Sequence, residues 1–169
     1  ESVNLARAGL LFAASEYTNL DCAWYLAQLD LIAEEITKRV SSEANISDRL
    51  IELNNYLFTE LGFSGNKDDY YDPRNSYLNE VIDRRVGLPI TLSLVYLEVA
   101  RRLGIEACGI SFPGHFLVGI KTETDELIVD AFDNGASLPR AAFLQRLLER
   151  SQQGATLEVL ERSLQPASN

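Results

Sequence analysis

Residues 84–103 read RRVGLPITLSLVYLEVARRL, and the fold turns on this stretch. Pro89 suits the first turn of a helix, and Gly104 lies just past its end. Between them Ile90, Leu92, Leu94, Val95, Tyr96, Leu97, Val99, Ala100 and Leu103 put apolar side chains on nearly every face. A helix apolar all round is a buried helix. Arg101 and Arg102 suit the negative end of its dipole. The run falls short of the roughly 20 residues a bilayer requires, and Glu98 interrupts it. The expectation is a core helix of a soluble domain. Its N-terminus is the point of interest, because the dipole there favours a thiolate nucleophile.

Upstream, the chain reads as helices. Leu5, Ala8, Leu11, Phe12 and Ser15 fall near helical spacing over residues 3–16. Thr18 to Asp21 is a break with capping residues. A second helix runs to about Val40 on a stripe of Trp24, Ala27 and Leu31, widened by Leu26, Leu29, Ile32, Ala33 and Ile36. Cys22 and Trp24 are expected to pack inward. Ser47 is the expected cap of a third helix, Asp48 to Leu61, stopped by Gly62. Residues 62–85 form a long polar loop, GFSGNKDDYYDPRNSYLNEVIDRR, with Ser76 as the expected cap of a short helix from Tyr77 to Arg84. Loops of this kind carry binding residues or pack by their own side chains. The candidate binding residues are Asn66, Asp69, Tyr70, Tyr71, Asp72, Arg74 and Asn75; under the structural alternative the tyrosines anchor the loop.

Downstream come three strand-like runs, Glu106–Phe112, His115–Lys121 and Glu126–Asp130, parted by Pro113-Gly114 and by Thr122–Asp125. Ala131–Ser137 reads as a loop, with Ser137 capping a helix to about Ser151. Gln152–Gly154 is a break, Thr156–Leu164 a last helix, and Gln165–Asn169 a loose tail. The predicted class is α+β, a buried helix on a small antiparallel sheet. It divides into a helical layer at 1–61, a core at 62–151 and a C-terminal helix and tail at 152–169, together one compact unit.

A net charge of −10 argues against nucleic acid or an anionic membrane as partner. Two distant cysteines, Cys22 and Cys108, make neither a disulfide framework nor a zinc site, so no metal and no cofactor is expected. A reduced, cytoplasmic setting follows, with no signal peptide in the opening stretch.

The chain has one histidine. If residue 121 opposes 126, Leu117 opposes Asp130, and His115 shares Leu117's face. Asp130 then fixes one imidazole nitrogen, which makes two-thirds of a nucleophile-activating triad. A register slip of one residue would separate the pair. No thiol completes it: Pro89 stands at the start of the buried helix. Cys108 is expected opposite Gly119 while Phe112 opposes His115, about 13 Å away along the strand. Thr91 and Ser93 are the hydroxyl candidates.

G-L-P…ARRLGI…PGHFLVGI…ELIVDAFDNG resembles the transglutaminase-like core of the cysteine-proteinase superfold. More closely, LFTELGFSGNKDDYYDPRNSYLNEVIDRRVGLPITLSLVYLEVARRLGI and FPGHFLV resemble the bacterial SirB-type regulator family. The resemblance implies a catalytic His at His115, a catalytic Asp at Asp130 and Pro89 in the nucleophile's slot. It implies the fold without the usual cysteine chemistry. The function expected is a non-catalytic regulatory or protein-binding module with a protein or peptide partner. The alternatives are a hydrolase or acyltransferase using Thr91 or Ser93, and a small-molecule or peptide binder. In the binding readings the His–Asp pair braces the sheet against the central helix or lines a pocket.

Overall fold

A computed structural model describes residues 4–123, 125–150 and 157–167. Three helices come first: α1 (Leu5–Ala14), α2 (Cys22–Arg39) and α3 (Ile46–Asn54), which runs on as a π-helical stretch, Asn55–Glu60. A short α4 (Leu78–Arg84) precedes α5 (Pro89–Arg102). Two short strands, β1 (Ser64–Gly65) and β2 (Val86–Gly87), pair in parallel beside the start of α5. The main sheet is β3 (Ala107–Phe112), β4 (His115–Lys121), β5 (Glu126–Asp130) and β6 (Ala136–Pro139), antiparallel and in chain order. Helices α6 (Arg140–Arg150) and α7 (Leu157–Ser163) follow. The architecture is α+β, as expected.

α5 is the centre. Leu92, Val95, Tyr96, Val99 and Ala100 are buried in one cluster with Ala6 and Leu10 of α1, Leu29 and Ile36 of α2, and Val118, Ile120 and Val129 of the sheet. Burying an apolar side chain contributes about 1.5–3 kcal/mol, so α5 supplies much of the driving force for packing both layers against it. Glu98 is buried too, at 3% exposure. Its carboxylate accepts from Arg101 at 3.1 Å, pairs with Arg102, and accepts the Ala6 N–H at 3.4 Å. The charge inside the apolar run is thus neutralised, and it ties α1 to α5.

The other face of the sheet carries a smaller cluster: Ile110, Leu117, Ile128, Leu144 and Leu164. Strand alternation therefore divides β4, with Val118 and Ile120 toward α5 and Leu117 toward α6 and α7.

Several expectations are corrected. Ala6, Leu10 and Ala13 form the buried side of α1, whereas Leu11 and Phe12 are exposed. On α2, Leu29, Ala33 and Ile36 are buried, while Trp24 and Leu31 face solvent. In both helices the apolar residues exceed one face, and the packing against α5 selects which set is covered. Caps shift similarly. Asn45, not Ser47, caps α3 by accepting from the Asp48 N–H at 2.9 Å. Ser76 lies in a 3-10 turn, Pro73–Ser76, and α4 has no side-chain cap. Ser137 does not cap α6; it sits in β6 opposite Val129. Sheet pairing satisfies its backbone, so the helix starts three residues later, after Pro139. The tail is not loose over Gln165–Ala167: Pro166 bridges Ile110, and the Ala167 N–H donates to Gly109 O at 2.8 Å. The proposed break at Gln152–Gly154, the ends of the helices predicted there (Ser151 and Thr156), and Ser168–Asn169 lie outside the described residues.

Candidate functional site

The register across β4 and β5 places Lys121 opposite Glu126 and Val118 opposite Val129. This is the register that sets His115 and Asp130 on one face, and the His115 Nε2 lies 2.8 Å from Asp130 Oδ2. The second carboxylate oxygen accepts the Phe132 N–H at 3.0 Å and the Asp133 N–H at 3.2 Å, capping a 3-10 turn, Ala131–Asp133. Asp130 therefore serves twice, holding the imidazole and shaping the turn after β5. In the neutral imidazole, donation from Nε2 to the carboxylate leaves Nδ1 as an acceptor. Both side chains are about a quarter exposed, at 26% each.

The pair does not brace the sheet against α5. It ties β4 to β5 and opens on a cleft of about 340 Å³ beneath α6. The walls are mostly apolar, among them Phe112, Leu117, Ile128, Leu138, Phe143 and Leu147, with Asp133, Ser137 and Arg146 as further polar groups. None of the wall residues belongs to α5. The Phe132 ring stands edge-on to His115 at 6.0 Å.

Pro89 occupies the first turn of α5, buried and without a nucleophilic atom. Both nearby hydroxyls are engaged with the backbone. Thr91 Oγ1 accepts the Leu88 N–H at 3.0 Å and donates to Asn75 O at 2.9 Å, so the third residue of the helix closes back on its N-cap backbone. Ser93 Oγ donates weakly, at 3.5 Å, to Phe116 O. Among the described residues neither hydroxyl hydrogen-bonds His115, whose ring has Asp130 as its hydrogen-bond partner. Cys108 is opposite Gly119 and Phe112 opposite His115, the spacing expected along β3. Burial, then the Glu126 carboxylate, push the Cys108 thiol up, away from the thiolate form.

The loop at 66–75 separates into scaffold and surface. Asn66 Nδ2 donates to Asn75 Oδ1 at 3.0 Å, and Asn66 Oδ1 accepts the Asp69 N–H at 2.9 Å. Asn75 Nδ2 donates to the Asp69 and Tyr70 carbonyls at 2.8 and 3.2 Å. These two buried asparagines, rather than the tyrosines, anchor the loop. Asp72 is scaffold as well, its side chain 7% exposed between Arg74 at 2.8 Å and Arg84 at 3.2 Å. Hydrogen bonds from Arg74 hold its carboxyl below the usual range. Asp69, Tyr70, Tyr71 and Arg74 face solvent. The two tyrosines meet edge-on at 5.4 Å, and Tyr70 meets Phe132 at 6.0 Å, so an aromatic series links the loop to His115. Gly65 makes this possible: a Cβ there would lie 2.6 Å from the Phe132 ring.

Phe132, Phe143 and Arg146 escaped the sequence reading. Phe132 had one signal, its place two residues after Asp130 in a tight turn. Phe143 and Arg146 had none, since only docking of α6 brings them to the cleft. Among the described residues no group of His, Cys, Asp or Glu is arranged to hold a metal, and no helix is long and apolar enough to cross a membrane.

A UPF0162 protein of Xylella fastidiosa is 42% identical over 147 residues, 87% of this chain and 52% of its own. A UPF0162 protein of Pseudomonas aeruginosa is 35% identical over 124 residues, 73% of this chain and 45% of its own. F-box only protein 21 of Mus musculus is 39% identical over 105 residues, 57% of this chain but 17% of its own. The chain thus spans about half the length of the first of these relatives. A crystal structure from Parabacteroides distasonis overlays with a TM-score of 0.40 at 10% identity, covering 79% of this chain and 30% of that one, too remote to carry an argument. The family model of the transglutaminase-like superfamily matches residues 23–169, which takes in α5, the sheet and the His115–Asp130 pair, and the chain belongs to that superfamily.

Proposed function

We propose that this chain is a non-catalytic transglutaminase-like module of the SirB type, working in the cytoplasm by binding a protein or peptide. One observation carries the reading: the first turn of α5 holds Pro89, and the two hydroxyls after it are engaged with Asn75, Leu88 and Phe116. An acyl-transfer site needs a nucleophile within hydrogen-bond reach of its base, about 2.6–3.2 Å. His115 instead faces an apolar cleft with its Asp130 partner in place. That volume falls at the lower end of the roughly 300–1,000 Å³ typical of ligand sites, enough for an apolar peptide side chain beside a polar group. Tyr70, Tyr71 and Arg74 supply exposed surface alongside.

The His115–Asp130 bond is also what a general base requires, and it favours the hydrolase reading with Thr91 or Ser93 as nucleophile. That reading needs a hydroxyl released from its backbone partner. Turnover of a panel of esters and amides by the wild type and by His115→Ala separates the two. The expected result is no turnover above background in either protein. Turnover that His115→Ala abolishes while the fold persists would overturn the non-catalytic reading.

A further inference from the structure

Helices α1, α2 and α4 share a face that is aromatic and acidic, well apart from the His115 cleft in composition and in the elements that build it. Phe12 is 60% exposed and Trp24 50%. Phe12 stacks on Tyr77 at 5.7 Å, and Tyr17 meets Tyr77 edge-on at 5.4 Å. Trp24 stands edge-on to Tyr25 at 4.8 Å, and the Tyr25 hydroxyl donates to Asp83 Oδ2 at 2.7 Å. Glu80 lies beside Tyr17 and within electrostatic reach of Tyr25, which joins the two aromatic groups into one surface. The Ala6 N–H reaches Glu98, and Gly9 packs against Leu94, so α1 runs antiparallel to α5. Its last turn, with Phe12, therefore runs toward the first turn of α5, where Ile90 is 48% exposed.

The charge on this face is one-sided. Glu16, Glu80 and Asp83 make no ion pair among the described residues. Arg74, within electrostatic reach of Glu80, and Arg84 are both held by Asp72, and Arg85 donates to Leu61 O. Aromatic faces bordered by unpaired carboxylates attract cations and repel phosphate. Exposed Phe12 on α1 and Trp24 on α2, with half-buried Tyr17, Tyr25 and Tyr77 between them, exceed what one small cation covers, and they offer apolar contact between cationic positions.

We propose that the α1–α2–α4 face docks a Lys- or Arg-bearing segment of a partner protein, its cations on Tyr17, Tyr25, Glu80 and Asp83 and its apolar residues on Phe12 and Trp24. The surface does not depend on whether the His115 site is catalytic.

Trp24 is the chain's sole tryptophan and reports occupancy directly. The probe is a soluble peptide of Arg, Lys, Leu and Ser, set against the same peptide with Glu in place of each cation. A saturable change in Trp24 emission is expected with the cationic peptide alone, weakening as salt is raised. The isosteric pair Glu80→Gln and Asp83→Asn is expected to weaken binding about tenfold, two charge contacts together. Phe12→Ser is expected to weaken it as well. Equal binding of the acidic peptide would overturn the proposal. So would an equal loss in a charge-matched control, Glu158→Gln with Glu161→Gln on α7, because attraction to the net charge alone would then explain the signal. Sedimentation showing that the emission change comes from self-association would also overturn it.

Discussion

Removing the Asp130 carboxylate is the most informative perturbation, because its two oxygens do separable work. One accepts two backbone N–H groups of the turn, at 3.0 and 3.2 Å, and the other holds His115 at 2.8 Å. Losing a cap of this kind costs about 1 kcal/mol, and a net side-chain hydrogen bond is worth about another 1. Both groups are partly exposed, which argues against larger values. Asp130→Ala should therefore cost about 2 kcal/mol. Asp130→Asn keeps the capping oxygen and can offer an amide to the other imidazole tautomer, so it should cost less than about 1. His115→Ala should cost about 1. The double variant His115→Ala/Asp130→Ala should cost about 2 rather than 3, a coupling of about 1 kcal/mol. Urea unfolding reads each value: with a slope of about 2 kcal/mol per molar, Asp130→Ala moves the midpoint by about 1 M. Equal losses for the Ala and Asn variants would refute the capping argument. A coupling near zero would refute the claim that the pair braces β4 against β5.

Thr91→Val leaves the half-buried Leu88 N–H and the buried Asn75 carbonyl without their partner and should destabilise by about 2 kcal/mol, whereas Ser93→Ala, losing one long bond, should cost under about 1. Chemical denaturation separates them, and the reverse order would undo the role given to Thr91 in closing the start of α5. The Asp72 carboxyl is depressed in the folded chain, so the unfolded chain binds its proton first. Its contribution is whole above the ordinary carboxylate value of about 3.9 and is lost as pH falls through the folded value. The stability difference between wild type and Asp72→Asn should shrink in that acid window when unfolding midpoints are compared across pH. A difference that stays constant in acid would contradict the ion-pair geometry.

Much of the fold was legible because its signals are local. The all-round apolar run between Pro89 and Gly104 announces α5, since no solvent-facing helix tolerates that pattern. Alternation with Pro113-Gly114 and Thr122–Asp125 as turns sets β3 to β5 and their register, and with it the His115–Asp130 pair. The absence of a nucleophile at Pro89 is also a fact of the sequence.

Tertiary packing decided the rest. Periodicity left two candidate faces on α1 and α2, and contact with α5 selected Ala6, Leu10 and Leu29 while leaving Phe12 and Trp24 in solvent. Ser47, Ser76 and Ser137 all had capping chemistry, but a cap forms only where a helix begins, and Asn45, the Pro73–Ser76 turn and β6 placed those starts elsewhere. Asn66 and Asn75 have the chemistry of binding residues, but their amides are satisfied by each other and by the loop's own backbone. Sequence thus determined which residues could make helices, strands and a His–Asp pair. Which face each helix buries, and that α6 completes the cleft over His115, depended on contacts between segments distant in the chain, which no local pattern encodes.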